Sequence, residues 1–370
     1  SRPFPLIRNK TLNIVALLEE NPKKDDLLGK AEEKKLKAEG KKGGTIYEYA
    51  TVQVPSVLPR LIPIPSVKEG EKSFILLEQI IEKNISKLFL GHKVVCAYPY
   101  RIMRNADLSF DEDEAEDLLK EIEKSLKKRQ WGEVIRLEVE YGIDKRLLAF
   151  LKDELRVESE DDIFKINGPI DLTYLMKMYG LEGCDDLRYK PYTPQPVPQI
   201  QQGESIFDAI KKGDIFLHHP YITFDPVVNF IKEAAVDPKV LAIKQTLYRV
   251  SGNSPIIAAL AEAAENGKQV SVLVELKARF DEENNIVWAR MLEKAGCHVI
   301  YGLVGLKTHS KITLVVRREE TGIRRYVHLG TGNYNDSTAK LYTDCGLLTC
   351  NAKIGEDATA VFNMLSGYSE

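Results

Sequence analysis

The sequence predicts two domains of different fold class, an α+β domain followed by an α/β domain with a mixed, largely parallel sheet. Up to about Tyr179, strand and helix patterns follow one another without strict alternation, which is typical of an α+β domain. Residues 190–203 are rich in proline and glutamine, the composition of a linker. Across residues 240–301 the patterns alternate as β-α-β-α-β, which favours parallel strands.

The first domain covers residues 1–189. Hydrophobic periodicity predicts, in chain order, strands at 11–18 and 46–54, a helix at 73–90, a strand at 93–100, a helix at 111–129, a strand at 134–141 and a helix at 144–155. Between the first two strands, residues 23–44 are dense in Lys, Glu and Gly. Such a charge run predicts a solvated loop or a frayed helix, without a binding role.

The second domain covers residues 204–353. The predicted elements are strands at 240–249, 269–275 and 297–301, helices at 255–266 and 282–295, and further strands at 312–317, 326–330 and 345–348. Ser254 is a suitable N-cap with Pro255 at the first helical position, and Gly267 ends that helix. Residues 354–370 are interpreted as the start of a truncated second catalytic domain, so the chain is expected to be a fragment.

Composition excludes several classes of protein. The 370 residues are 44% hydrophobic and 29% charged, which is ordinary for a soluble globular protein. A net charge of −3 provides no basic field, so nucleic acid is not an expected partner. The five cysteines lack C-x-x-C spacing, which argues against a zinc site or a disulfide framework and fits a reducing cytoplasm. No apolar run is long enough to span a bilayer.

The stretch 305–311 carries the clearest chemical pattern. Lys307, His309 and Lys311 alternate just before an apolar run, so in an extended chain their side chains share one face. An imidazole between two ammonium groups suits a phosphate beside a nucleophilic or proton-transferring histidine. The alternative is a partly exposed histidine in a polar loop.

Other candidates follow the predicted strands. Arg249 and Arg279 come after the first and second strands of the β-α-β-α-β pattern, where ligands of α/β sheets gather, and guanidinium groups fit phosphate oxygens bidentately. The glycine-rich turn around Asn333 either presents N–H groups to an oxyanion or is only a tight turn. Tyr342 either stacks on a base or fills the core. Together the two arginines and the Lys-His-Lys stretch indicate a ligand with several phosphates.

These stretches resemble a known family. AIKQTLYR, VELKARFDEENNIVWA, GLKTHSK, HLGTGNYN and LYTD resemble the first catalytic domain of bacterial polyphosphate kinases. SRPFPLIRNKTLNI, VQVPSVLPR and YRIMRNADL resemble the head domain that precedes it. The resemblance implies a phospholipase D-like fold for the catalytic domain, and His309-x-Lys311 followed by Gly332-Asn333 is similar to the phospholipase D signature. Val316 stands where that signature has Asp, which argues against a phosphodiesterase.

The resemblance implies reversible transfer of the ATP γ-phosphate to inorganic polyphosphate through a phosphohistidine. His309 matches the phosphorylated histidine, Arg249 and Arg279 match the Mg²⁺–phosphate site, and Tyr342 matches the nucleotide site. Since arginine is cationic, we expect both arginines to reach Mg²⁺ only through phosphate. The candidate site residues are the catalytic pair His309 and Lys311 and the nucleotide- or phosphate-binding residues Arg249, Arg279, Lys307, Asn333 and Tyr342.

Several expectations complete the hypothesis. The cofactor is Mg²⁺, and the partners are ATP or ADP and polyphosphate. The complete enzyme is expected to be a homo-oligomer through its head domain, located in the cytoplasm, with peripheral association at the inner membrane left open. Two alternatives remain: a phospholipase D-like phosphodiesterase, and a catalytically inactive polyphosphate- or anion-binding module. The second applies to this chain in particular, since half of the family's site is absent and the fragment alone is expected to be inactive.

Overall fold

The computed structural model describes residues 4–20, 47–105, 118–129, 132–250, 253–276, 278, 281–302 and 306–367. The chain forms two compact units, Ser1–Leu108 with Lys127–Tyr189 and Ser109–Leu126 with Lys190–Glu370. The predicted charge-rich segment 23–44 and the start of the predicted helix 111–129 lie outside the described residues. Within the described residues, no helix is both long and apolar enough to cross a membrane.

The first unit contains a five-stranded sheet of order β2-β1-β5-β6-β7 and a separate β3-β4 pair. The strands are β1 Leu12–Glu20, β2 Tyr47–Gln53, β3 Leu61–Ile64, β4 Ser73–Leu76, β5 His92–Arg104, β6 Val134–Glu140 and β7 Ile163–Ile166. The helices are α1 Leu77–Asn84, α2 Leu118–Arg129, α3 Lys145–Leu155 and α4 Leu175–Met178, of which α2 belongs to the second unit up to Leu126. All pairings of the larger sheet are antiparallel except the parallel β6–β7 pair, which confirms the α+β class among the described residues.

Strand β1, which lies between β2 and β5, is buried on both faces. Val15 and Leu17 pack into one core together with Leu147 of α3, whereas Ile14 and Leu18 pack into another. A strand that is covered on both sides has a nearly continuous apolar sequence, as LNIVALL has. Each fully buried aliphatic side chain contributes about 1.5–3 kcal/mol relative to an exposed one, so the apolar residues of β1 stabilise both cores of this unit.

The predicted helix at 73–90 is wrong at both ends. Ser73–Leu76 forms β4, which pairs antiparallel with Leu61–Ile64, and α1 begins only at Leu77. The Gln79 side chain accepts the backbone N–H of Leu76 at 3.0 Å, which helps to start the helix there. After Asn84 the chain tightens into a 3₁₀ helix, Ile85–Leu88.

The second unit is built on a seven-stranded sheet of order β11-β10-β9-β12-β13-β14-β8. Its strands are β8 Ile215–His219, β9 Val240–Leu247, β10 Gln269–Val274, β11 His298–Ile300, β12 Lys311–Glu319, β13 Gly322–Gly330 and β14 Asp344–Thr349. Its helices are α5 Ile206–Lys212, α6 Asp225–Val236, α7 Pro255–Glu265, α8 Glu282–Lys294 and α9 Ala352–Leu365. As predicted, Ser254 is the N-cap of α7, and its hydroxyl accepts the N–H of Ile257 at 3.3 Å.

The α/β class with a mixed sheet is confirmed, but the sheet is not largely parallel. Among the described strands, only β9–β10 and β10–β11 pair in parallel, and the other four pairings of this sheet are antiparallel. The physical reason lies in the connections. Helices α7 and α8 return the chain between parallel strands, whereas a tight turn joins β12 directly to β13 and makes that pair antiparallel.

The sheet is covered on both faces. Helices α5 to α8 pack on one face, with Val315 of β12 and Tyr326 of β13 in the shared core. Helix α9 packs on the other face against Leu314 and Val327, the alternate residues of the same two strands. The carboxyl ends of β9 and β10 lie together at one end of this sheet, between the two covered faces.

Candidate active site

The site lies at the edge where β9 and β10 end and β12 begins. Strands β9 and β10 are parallel and in register at their ends, Leu247 opposite Val274. Strand β12 runs antiparallel to β9, so its first residue, Lys311, lies at the same edge. This topology brings Arg249 and the loop that carries His309 together, as ligand sites of α/β sheets require.

His309 and Lys311 meet on the ring of Tyr248. The imidazole of His309 contacts Tyr248 edge to face, with ring centroids 5.0 Å apart and an interplanar angle of 76°. The Nζ atom of Lys311 lies 5.3 Å from the centroid of the same ring and donates to the backbone carbonyl of His309. Lys311 is only 6% exposed, whereas His309 is exposed. The imidazole is therefore accessible to a substrate and held on one side by an aromatic ring.

The charges around His309 favour its neutral form. Partial desolvation lowers the pKa of His309, and the positive charges of Lys311 and Arg249 lower it further. Burial also lowers the pKa of Lys311; the carboxylate of Asp344 opposes this shift and Arg249 adds to it. A neutral imidazole keeps a lone pair available for attack on phosphorus, and the nearby cations suit an anionic substrate.

Arg249 is near the histidine, as predicted, and is ion-paired. Its Nε atom lies 2.8 Å from Oδ2 of Asp281, and its guanidinium carbon lies 5.7 Å from the ring centroid of Tyr248. A phosphate that binds Arg249 would therefore compete with a carboxylate. Arg279 lies outside the described residues, so its place in the site stays a prediction.

Lys307 and His309 lie in a loop that precedes β12 and not in the strand itself. Strand β12 begins at Lys311, and residues 307–310 are not in a strand. The N–H of Thr308 donates to Oε2 of the buried Glu275 at 2.8 Å. Lys307 is exposed, as His309 is, and its place in the site stays a prediction.

The glycine-rich turn packs against Asp344. The hydroxyl of Thr331 donates to Oδ1 of Asp344 at 2.8 Å, and the N–H of Cys345 donates to that hydroxyl at 2.9 Å. A Cβ atom at Gly332 would lie 2.5 Å from Oδ2 of Asp344, so this position requires glycine. The Oδ1 atom of Asn333 is buried and has no hydrogen-bond partner among the described residues, which is unusual for a buried amide.

Tyr342 is 64% exposed and follows a short 3₁₀ helix, Thr338–Lys340. Its N–H donates to the carbonyl of Thr338 at 3.0 Å, which holds the turn that carries it. The ring therefore does not fill the core, and its stacking on a base stays a prediction.

Tyr248, Glu275 and Asp344 contribute to the site, although the sequence interpretation gave them no role. Each is a polar or aromatic residue directly beside an apolar strand, at an end that faces the site. Their position at strand ends could have marked them as candidates for the site. Which of these residues lie close together depends on strand order, which the sequence alone does not give. Among the described residues, no group of three or more His, Cys, Asp or Glu side chains could hold a metal ion.

Comparison with known proteins decides the family. The model described as "Polyphosphate kinase middle domain" matches residues 1–178, and the one described as "Polyphosphate kinase C-terminal domain 1" matches residues 205–370. Polyphosphate kinases of Halalkalibacterium halodurans and Bacillus cereus are 55% and 53% identical to the chain over 372 residues, covering 100% of the chain and 50% of each relative. The chain belongs to the polyphosphate kinase family.

A solved structure agrees with this membership. The crystal structure of the polyphosphate kinase from Porphyromonas gingivalis matches with a TM-score of 0.70 at 28% identity, covering 100% of the chain and 50% of that protein. The present chain thus spans about half the length of the polyphosphate kinases it matches. About half of the sequence of each of these relatives has no counterpart in the chain.

Proposed function

We propose that the chain is the phosphohistidine-forming part of a polyphosphate kinase. The observation that carries the proposal is the exposed imidazole of His309, which rests on Tyr248 and whose pKa is lowered by partial desolvation and by the charges of Lys311 and Arg249. In the first step, a ring nitrogen of His309 attacks the γ-phosphorus of ATP, the bond from phosphorus to the bridging oxygen breaks, and ADP leaves. In the second step, a terminal oxygen of polyphosphate attacks the phosphohistidine, the N–P bond breaks, and the polyphosphate is longer by one unit.

The reaction runs in both directions. One phosphoanhydride bond is broken and one is formed, so ADP and polyphosphate return ATP through the same intermediate. Lys311 and Arg249 stabilise the charge of the transferring group, and we assign the same role to Arg279. Lys307 and Asn333 bind phosphate oxygens outside the transferring group, and the exposed ring of Tyr342 stacks on the base of the nucleotide.

Magnesium fits this site as a companion of the substrate. Mg²⁺ is usually held by one or two carboxylates together with substrate phosphates, and the described residues contain no larger ligand cluster. Asp344 and Asp281 are the carboxylates beside Lys311 and Arg249. The ion would supply charge neutralisation on the phosphates, whereas the arginine would hold phosphate oxygens.

Two alternatives are less well supported. A phospholipase D-like phosphodiesterase would use an acidic residue at position 316, but Val316 packs with the α9 core on the covered face. A non-catalytic polyphosphate-binding module would need the cations but not an accessible histidine. The accessibility of His309 favours the transferase.

We further propose that the complete enzyme is a cytoplasmic homo-oligomer formed through the head domain, residues 1–189, and that residues 190–203 link it to the catalytic domain, residues 204–353. Several apolar residues of the first unit are strongly exposed, including Val57, Val67 and Met176, and a subunit contact there would remove such residues from water. Sedimentation of the full-length enzyme tests the assembly, and a monomer at micromolar concentration would refute it. Fractionation of cells tests the location, including association with the inner membrane.

The decisive experiment labels the histidine. Full-length enzyme that carries this chain is incubated with γ-³²P-ATP, and the acid-labile label is measured in His309→Gln and in His298→Gln, an exposed histidine at β11. We expect the label to be lost in the first variant and retained in the second. Acid-labile label that persists in H309Q would show that another residue is the acceptor.

A further inference from the structure

One buried carboxylate holds the loop that carries the histidine. The N–H of Thr308 donates to Oε2 of Glu275 at 2.8 Å, and Glu275 is 0% exposed. A carboxylate is rarely buried unless it is fixed by hydrogen bonds or charges, and a charged acceptor makes a stronger bond than a neutral one. Thr308 directly precedes His309, so this bond restrains the backbone of the proposed nucleophile.

A buried amide fixes the backbone of Glu275 in turn. The Nδ2 atom of Asn285 on α8 donates to the carbonyl of Glu275 at 2.9 Å and to the carbonyl of Tyr248 at 2.7 Å. The N–H of Glu275 donates to the carbonyl of Leu247 at 2.9 Å. The ends of β9 and β10 are therefore joined by their own ladder and by one side chain. These hydrogen bonds fix the backbone of Glu275 relative to that of Tyr248.

Tyr248 contacts the histidine ring itself. Its ring meets the imidazole of His309 edge to face and lies under Nζ of Lys311. Glu275 restrains the backbone of the histidine loop, and Tyr248 restrains the side chain. Residues 307–310 are not in a strand and lack the hydrogen bonds of a sheet. Contacts with Glu275 and Tyr248 therefore restrain this loop instead.

We infer that Glu275 is a positioning residue for phosphoryl transfer, which holds His309 through the N–H of Thr308 against the ring of Tyr248. The inference rests on the proposed role of His309 as the phosphate acceptor. Glu275 itself does not touch the reacting atoms in this arrangement. Its effect is on the geometry of attack, where a displacement of about 1 Å can cost about a hundredfold in rate.

The test compares Glu275→Gln with Glu283→Gln, an exposed glutamate on α8, in the full-length enzyme. We expect E275Q to slow formation of phosphohistidine at saturating ATP by about tenfold or more, with less than a threefold change in KM, because positioning acts on the transition state. E283Q should match the unsubstituted enzyme in both. An unchanged rate in E275Q, with H309Q unlabelled, would overturn the positioning role while leaving the proposed function intact.

A second measurement does not depend on activity. In the chain itself, hydrogen exchange at the Thr308 amide should be at least about tenfold faster in E275Q than in E283Q, because the charged acceptor is lost. Equal exchange in the two variants would overturn the inference. If E275Q does not fold, Tyr248→Leu and Tyr248→Phe replace it: loss of the ring should slow labelling, and loss of the hydroxyl alone should not. Equal labelling by these two variants would equally refute the arrangement.

Discussion

Replacing Gly332 by alanine should destabilise the second unit through a single steric overlap. A Cβ atom at this position would lie 2.5 Å from Oδ2, 2.7 Å from Cγ and 2.9 Å from Cβ of Asp344. Rotation of the Asp344 side chain could move the first two atoms, but Cβ is attached directly to the backbone of β14. The carboxylate is also held by the hydroxyl of Thr331 at 2.8 Å. The new methyl group therefore requires the turn or the strand to shift.

The size of the effect follows from the overlap. Carbon atoms prefer a separation of about 3.5–4.0 Å, so the contact with Cβ of Asp344 is too short by about 0.6–1.1 Å. Overpacking of this kind typically costs about 1–3 kcal/mol. For a unit of about 200 residues, each kcal/mol lowers Tm by about 2–4 °C.

Urea denaturation and calorimetry of the chain measure this cost. The matched control is Gly213→Ala, because no heavy atom lies within 4 Å of a Cβ built at Gly213 and the backbone there is extended, with φ of 163°. We expect G213A to change the free energy of unfolding by less than about 0.5 kcal/mol. The difference between the two variants isolates the contact with Asp344.

A double variant identifies the cause. Asp344→Ala removes the carboxylate but keeps Cβ, so the cost of G332A should be smaller in that background, with a coupling free energy of at least about 0.5 kcal/mol. Two results would refute the reasoning: a G332A variant as stable as G213A, or strict additivity of G332A and D344A.

Three further predictions concern buried and titrating groups. Asn285→Asp replaces an amide donor by an acceptor that faces two carbonyl oxygens, so it should lower the free energy of unfolding by about 2 kcal/mol or more. Asn284→Asp, at the exposed neighbouring residue, should not lower it, and the urea midpoints of the two variants measure the difference. Lys311→Met removes a positive charge beside His309 and should raise the pKa of His309 towards, but not fully to, its ordinary 6.5, because desolvation persists; an NMR titration in which the pKa stays the same or falls would contradict this. Burial lowers the pKa of His328 to about 3, so the unfolded chain takes up this proton first and the free energy of unfolding should decrease as the pH falls from about 6.5 towards 3; a flat dependence over that window in urea titrations would contradict it.

The carboxylates of the site have a consequence for substrate binding. Asp281 is paired with Arg249, and Asp344 lies near Lys311. In the free protein these cations are thus already partly neutralised. A bound polyphosphate would have to compete with Asp281 and Asp344 for these two cations. Mg²⁺ that arrives with the polyphosphate would then offer the two carboxylates another positive partner.

Local sequence signals predicted much of the fold. Ser254 and Pro255 mark the start of α7 because N-capping depends on residues within one turn. The β-α-β-α-β pattern predicted the parallel strands β9, β10 and β11, because helical connections leave little choice of direction. Apolar periodicity gave the wrong prediction for Ser73–Leu76. The spacing of its apolar residues suits a helix, but its backbone pairs with the strand Leu61–Ile64.

By itself, the sequence determined the two fold classes, the approximate order of elements and the presence of His309 and Lys311 beside a buried strand, since these depend on periodicity and on neighbours along the chain. Only the tertiary structure decided that Tyr248, Glu275 and Asp344 surround that pair. These contacts join residues more than 30 positions apart, and they exist because β12 lies against β9 in the sheet. Strand order is set by burial across the whole unit, which no local pattern of residues contains.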